Sequence, residues 1–302
     1  MPHPLFRAVP SVVMLGAALP ALAQGFDPAT QAKGWAHQDR DFSFTFYDPA
    51  SRSLVTWDKG FGVMNTLSLA KLEAEPEMWF LDRYNNAWVV SGEMLYFVLK
   101  DGKVDRKEKL PAPVADVAWD SQTGFVLCYR TATPYLEMRD YKKADIIWTH
   151  GDKPKKGEAV ASAPYRLCLK VQASGSSEVY VTDGSGLDFL VLSGKNGDQE
   201  SRTSFRLGGQ ALPPFDFAKA APGPVCPLLG KDVIYAALDS RSVPATAAPG
   251  LNGLLLARLD LASEAVTFEP TGLTADNRFI GVVDGQAVFV KPAGGLVLVP
   301  VQ

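Results

Sequence analysis

Residues that carry chemistry are scarce in this sequence. Among 302 residues there are three histidines and three cysteines, and neither type is spaced as a metal or haem site requires. No GxSxG elbow, HExxH pair, CxxCH run or Walker loop occurs, so the chain lacks the local signatures of a serine hydrolase, a zincin, a c-type haem protein or a nucleotide-binding enzyme. Basic residues are not in excess, with 30 Lys and Arg against 33 Asp and Glu. That balance argues against a nucleic-acid partner, which requires a concentrated positive surface. Lys153, Lys155 and Lys156 form the one basic cluster, and Asp152 and Glu158 flank it, which is the pattern of a solvated loop. No stretch after the first twenty residues approaches the 18 apolar positions of a membrane span. Extended helical periodicity is also missing. The best candidate, Asn65 to Glu77, reads either as one short helix or as a strand followed by a linker.

What the N-terminus does contain is an export signal. Met1 to Pro10 holds one positive charge, Arg7, and no acid; Ser11 to Leu19 is small and apolar; Ala21-Leu22-Ala23 has the small-x-small pattern cut by a signal peptidase. Cleavage after Ala23 leaves about 279 residues and, with Arg7 gone, a formal charge of −4. The expected location is periplasmic or extracellular. The organisation is then a signal peptide over 1–23, a linker or closing strand over 24–41, and one large domain over 42–302.

Glu77 to Leu110 sets the pattern for that domain. EMWFLD, NAWVVS, MLYFVLK and KVDRKEKL are strand-like runs rich in aromatic and branched residues, and Arg-Tyr-Asn, Gly-Glu and Asp-Gly separate them as hairpin turns. A four-stranded meander of roughly 35 residues that recurs is the sequence form of a β-propeller blade. Similar units begin near residues 42, 77, 114, 165, 225 and 277. The predicted fold is all-β, a propeller of six blades, or of five if the Phe42 to Asp58 hairpin completes the last blade. That last unit shows only three strands, ending with Leu296 to Gln302, so an N-terminal strand is expected to seal its edge.

The hairpins YDPASRSLVTW (47–57), WDSQTGFVLCY (119–129), MRDYKKADIIW (138–148) and LDLASEAVTF (259–268) resemble the Asp-x-x-Ser/Thr turns of secreted bacterial propellers of the NHL-like, YncE-like and quinoprotein-like kinds. The Asp caps the turn through backbone bonds and the aromatic packs between blades. The resemblance implies architecture and no particular activity. It supplies no quinone cofactor, because a vicinal Cys pair is absent. Cys128, Cys168 and Cys226 read either as buried thiols or as one 168–226 bridge between first strands plus a free Cys128. His37 and His150 read as ordinary polar residues.

Function is read from loop lengths. In a meander blade the second-to-third turns and the blade-to-blade loops share one face, and that face receives Gly151 to Pro164, Gly208 to Pro224 and Arg241 to Asn252. Long loops on a rigid scaffold carry recognition. The expected role is therefore a non-enzymatic binding or scaffold module for a protein, peptide or glycan, without cofactor, with Phe215, Phe217, Lys155 and Arg241 as its contact residues. The two rings have a second reading, burial under a loop folded over a blade edge. A catalytic alternative places Glu77, Asp116 and Asn277, each near the start of a first strand, around Ca²⁺ in the channel of a metal-assisted lactonase-like or esterase-like hydrolase.

Overall fold

The computed structural model describes residues 26–38, 43–58, 60, 62–119, 124–131, 133–155, 167–171, 177–182, 187–213, 225–227 and 232–301, with the side chains of 168–171 and 225–227 outside the description. Six antiparallel sheets make a β-propeller ring with almost no helix. Blade 1 is β1 (His37–Gln38), β2 (Phe44–Asp48), β3 (Ser53–Trp57) and β4 (Val63–Ser68); blade 2 is β5 (Met78–Leu81), β6 (Ala87–Ser91), β7 (Met94–Val98) and β8 (Val104–Lys109). Blade 3 is β9 (Val114–Trp119), β10 (Gly124–Tyr129), β11 (Leu136–Asp140) and β12 (Ile146–His150). Blade 4 is β13 (Leu167–Val171), β14 (Ser177–Thr182), β15 (Asp188–Ser193) and β16 (Gln199–Ser204). β17 (Arg206–Leu207) and β18 (Gln210–Ala211) follow, and extend blade 5, whose own strands are β19 (Val225–Pro227), β20 (Val233–Asp239), β21 (Leu254–Asp260) and β22 (Ala265–Pro270). Blade 6 is β23 (Arg278–Val283), β24 (Gln286–Val290) and β25 (Leu296–Pro300). The described part of the Phe42 to Asp58 hairpin, β2 and β3, belongs to its own blade, so six blades hold and five do not. Residues 65–77 resolve as the end of a strand and a linker.

Three of the four Asp-headed turns fold as their sequence implies, and the turn of the 119–129 hairpin lies outside the described residues. Asp48 accepts from the Ala50 N–H at 3.0 Å, Asp140 from the N–H groups of Lys142 at 2.7 Å and Lys143 at 2.8 Å, and Asp260 from Ser263 at 3.0 Å. Each carboxylate satisfies donors that the tight reversal leaves unpaired. Asp284 and Gly285 both have positive φ, the type I′ geometry that matches strand twist between β23 and β24.

The core lies between blades. Trp88, Phe80 and Phe125 are fully buried where blades 2 and 3 meet, Trp79 is buried on the other face of blade 2 against Tyr47 of blade 1, and Trp57 and Trp148 are buried as well. Trp119 is half-buried. Its ring stacks on Phe80 of blade 2 at 5.4 Å and meets His37 of blade 1 edge-on at 4.3 Å. Inner strands of three blades thus converge at the short-turn end of the channel.

Closure of the ring differs from expectation. β25 pairs with β24 as anticipated, but β1 pairs with β2 inside blade 1 and adds no strand to blade 6. The junction is made by a side chain. Gln38 Nε2 donates to the Val282 carbonyl at 2.7 Å and its Oε1 accepts the Val282 N–H at 2.9 Å, so one amide stands in for a backbone pair. Gly281 makes room for it, since a Cβ there would fall 2.3 Å from Gln38 Oε1. The short helix α1 (Pro28–Gln31) flanks the β24–β25 turn, and Gly295 N–H donates to Ala32 O at 3.0 Å.

Candidate functional site

Strand order fixes which connections share a face. With the first strand innermost in every blade, the β12–β13, β16–β19 and β20–β21 connections all emerge on one side. The third of these, Arg241 to Asn252, is ordered by its own bonds: Val243 N–H to Ser240 O at 3.3 Å, Ala247 N–H to Pro244 O at 2.8 Å and Leu251 N–H to Ala248 O at 3.2 Å. Val243, Ala247 and Ala248 are buried against the core between blades 4 and 5. Gly253 closes the loop with φ +81°, and a Cβ there would sit 2.5 Å from Leu273 O, so only glycine fits.

Arg241 projects from this framework. Its Nε lies 3.1 Å from both Asp239 oxygens and its Nη2 2.7 Å from Oδ2, while 80% of its side chain stays exposed. Asp239 also accepts the Arg241 N–H at 3.0 Å. The guanidinium holds the Asp239 carboxyl below the usual carboxylate range, and the pair raises Arg241 further. At such exposure the pair adds little stability. Its consequence is orientation, a cation held in one place with donors still facing solvent. Lys155 is exposed on the same face, in the segment that follows Gly151.

Phe215 and Phe217 lie outside the described residues. The chain leading toward them is described. Arg206–Leu207 pairs in parallel with the outer strand of blade 5 and in antiparallel with Gln210–Ala211, and Leu207 and Leu212 pack on the core. The start of that long connection therefore folds over a blade edge.

The residues of the catalytic alternative are engaged locally. Glu77 Oε1 accepts the Gly92 N–H at 3.0 Å within blade 2. Asp116 is buried, accepts Val117 N–H at 3.0 Å and, through its other oxygen, the Leu167 N–H of blade 4 at 2.8 Å. Asn277 caps its own turn through Thr274 at 2.9 and 3.0 Å. Among the described residues no three His, Cys, Asp or Glu side chains gather into a group able to hold a metal. Cys128 is buried; the side chains of Cys168 and Cys226 are outside the description.

Two buried polar features were not foreseen. Glu137, 1% exposed, accepts Tyr129 Oη at 2.6 Å, Tyr135 Oη at 2.9 Å and Arg139 Nη2 at 2.6 Å, and Arg139 also reaches Glu108 at 2.8 Å. Burial, followed by the Glu137 charge, pushes the Tyr129 hydroxyl far up. The signal was present: Tyr135, Glu137 and Arg139 alternate and so share one face of a strand. The second feature is His37, 3% exposed, whose ring nitrogens have no hydrogen-bond partner. Burial lowers it to about 3, so it is neutral at physiological pH.

No family model matches the chain, and no curated protein matches it. Solved structures do. Virginiamycin B lyase from Staphylococcus aureus aligns with TM-score 0.51 at 11% identity over 88% of this chain and 80% of that one. An exported protein from Bacteroides fragilis aligns with TM-score 0.51 at 10% identity over 93% of each chain. A chain in the structure of the Mitotic Checkpoint Complex aligns with TM-score 0.50 at 10% identity over 98% and 99%. The likeness is one of fold. At such identity it extends to no activity, because propellers host unrelated sites. No helix among the described residues is long and apolar enough to cross a membrane.

Proposed function

We propose that this chain is an exported, non-enzymatic β-propeller that binds a protein, peptide or glycan through its long-loop face. The observation that carries the reading is the Arg241 to Asn252 connection, anchored by buried Val243, Ala247 and Ala248 and presenting an exposed, oriented Arg241. A loop ordered before binding loses less entropy on binding, and Arg and aromatic side chains supply most interface energy. Phe215 and Phe217, which the sequence sets between prolines in the neighbouring connection, are the aromatic contacts we propose for the same ligand. The leader sequence supports export, and the Asp-capped hairpins support kinship with secreted bacterial propellers. No cofactor enters the reading.

Peptide and glycan arrays probed with the mature chain test it. Replacing Arg241, Phe215 and Phe217 together by Ala is expected to weaken captured signals by more than about tenfold, or about 1.4 kcal/mol, with the melting temperature nearly unchanged. If the melting temperature falls markedly and capture drops only with the folded fraction, the side chains belong to the fold and the reading fails.

A further inference from the structure

Blade 6 is written differently from its neighbours. In blades 2, 3, 4 and 5 the third strands β7, β11, β15 and β21 are covered by a fourth and are largely buried. Their outer strands include β8, with Asp105, Arg106, Lys107, Glu108 and Lys109, and β16, with Glu200 and Arg202, the charges that keep an edge from pairing. β25 reads Leu-Val-Leu-Val-Pro, the composition of a covered third strand, yet among the described residues it is the edge, and Leu298 is 41% exposed.

The register shows what that edge offers. Lys291 N–H donates to Gly295 O and Val301 N–H to Gly285 O, both at 2.8 Å, so the Gly295 carbonyl and residues 297, 299 and 301 face β24, while the Gly295 N–H turns to Ala32 O. Leu296 and Leu298 therefore direct N–H and C=O groups outward, and Pro300 directs a C=O alone. Val297 and Val299 pack toward blade 5, which leaves Leu296 and Leu298 on the opposite side of the strand.

We propose that a second copy of this chain pairs with β25 across a two-fold axis at Leu298, making one six-stranded sheet from two three-stranded blades. Antiparallel pairing about that residue places Leu298 opposite Leu298 and Leu296 opposite Pro300. Each Leu298 N–H then meets the partner's carbonyl at the same position, and each Leu296 N–H meets the carbonyl at position 300. All outward donors find acceptors. Proline, which has no N–H to give, costs the arrangement one bond per side and blocks extension beyond it. No charge opposes a like charge, and two exposed leucines cover each other. The contact is isologous and closes at two copies.

Analytical ultracentrifugation of the mature chain over a rising concentration series tests this, together with Leu298→Lys and Leu298→Cys. We expect a reversible monomer–dimer equilibrium, a dissociation constant raised about tenfold or more by Leu298→Lys, where two ammonium groups would face each other, and an unchanged melting temperature. Opposed residues in a hydrogen-bonded pair lie roughly 5.5 Å apart at Cα, within disulfide reach, so Leu298→Cys is expected to oxidise to a covalent dimer. Tyr84→Cys, exposed on the short-turn face, serves as the control and stays monomeric. A chain that is monomeric throughout, a dimer indifferent to Leu298→Lys, or a monomer whose Leu296 and Leu298 amides resist hydrogen exchange because other residues cover them, would each overturn the proposal.

Discussion

His37 is the residue at which this protein concedes most to its fold. Its imidazole is buried, edge-on to Trp119, with both nitrogens lacking a hydrogen bond, a cost on the order of 1–3 kcal/mol for each buried group left unmet. The folded state keeps it neutral down to about pH 3, whereas the unfolded chain protonates near 6.5. Its contribution to stability is therefore flat above pH 6.5 and falls as pH drops toward 3, by about 1.4 kcal/mol per unit. Urea titrations of His37→Phe are expected to show a shallower loss of stability between pH 6 and pH 4 (about one proton's worth) than the parent chain; parallel slopes would contradict the account. Glu137 illustrates the opposite case, a buried charge with all partners in place. Removing it strands Arg139, which is 3% exposed. Glu137→Ala is expected to lower the unfolding free energy by about 3–5 kcal/mol, measurable by chemical denaturation, and a loss below 1 kcal/mol would show that Glu108 suffices as partner. Individual residues were legible where their role is local. The turn-capping Asp48, Asp140 and Asp260 could be read from a few neighbouring letters, but the surroundings of His37 depend on Trp119, which arrives from blade 3.

At the scale of the element, strand order followed from turn chemistry and alternation, so β5 to β8 and β9 to β12 match their sequence runs closely. The region 24–41 reads as a linker or a closing strand, and β1 could not be placed as the inner strand of blade 1 because two residues, His37 and Gln38, show no period. Its partner across the ring junction is found by a side chain, which no strand pattern encodes. Replacing Gln38 by Ala leaves the Val282 N–H and C=O unpaired in the interior of the ring junction, and about 1–3 kcal/mol of stability is expected to go with each. Thermal melts of Gln38→Ala beside Gln38→Glu test this, since the carboxylate retains the acceptor to Val282 N–H but places a charge against the Val282 carbonyl. An unchanged melt for both would mean that packing of Phe44, Val55, Ile280 and Val288 closes the ring unaided.

For the whole molecule, the six-blade ring was readable from repeat spacing, and the gathering of long connections on one face followed from topology alone. The fate of those connections was not. Arg241 to Asn252 looked like an open loop, yet Val243, Ala247 and Ala248 make it part of the core between blades 4 and 5, and Leu207 and Leu212 do the same for the start of its neighbour. Loop length counts residues; it does not show which of them are buried. The catalytic alternative fares worse, because Glu77, Asp116 and Asn277 each hold a turn or a neighbouring strand. The central claim, that recognition occurs on the long-loop face, is tested most directly by blocking one face at a time. A bulky polyethylene glycol attached through Arg241→Cys covers the long-loop face, and the same group on Tyr84→Cys covers the short-turn face. The account expects captured ligand on peptide or glycan arrays to be lost with the first label and retained with the second, at equal melting temperatures. Loss with the Tyr84 label, or retention with the Arg241 label, would contradict it.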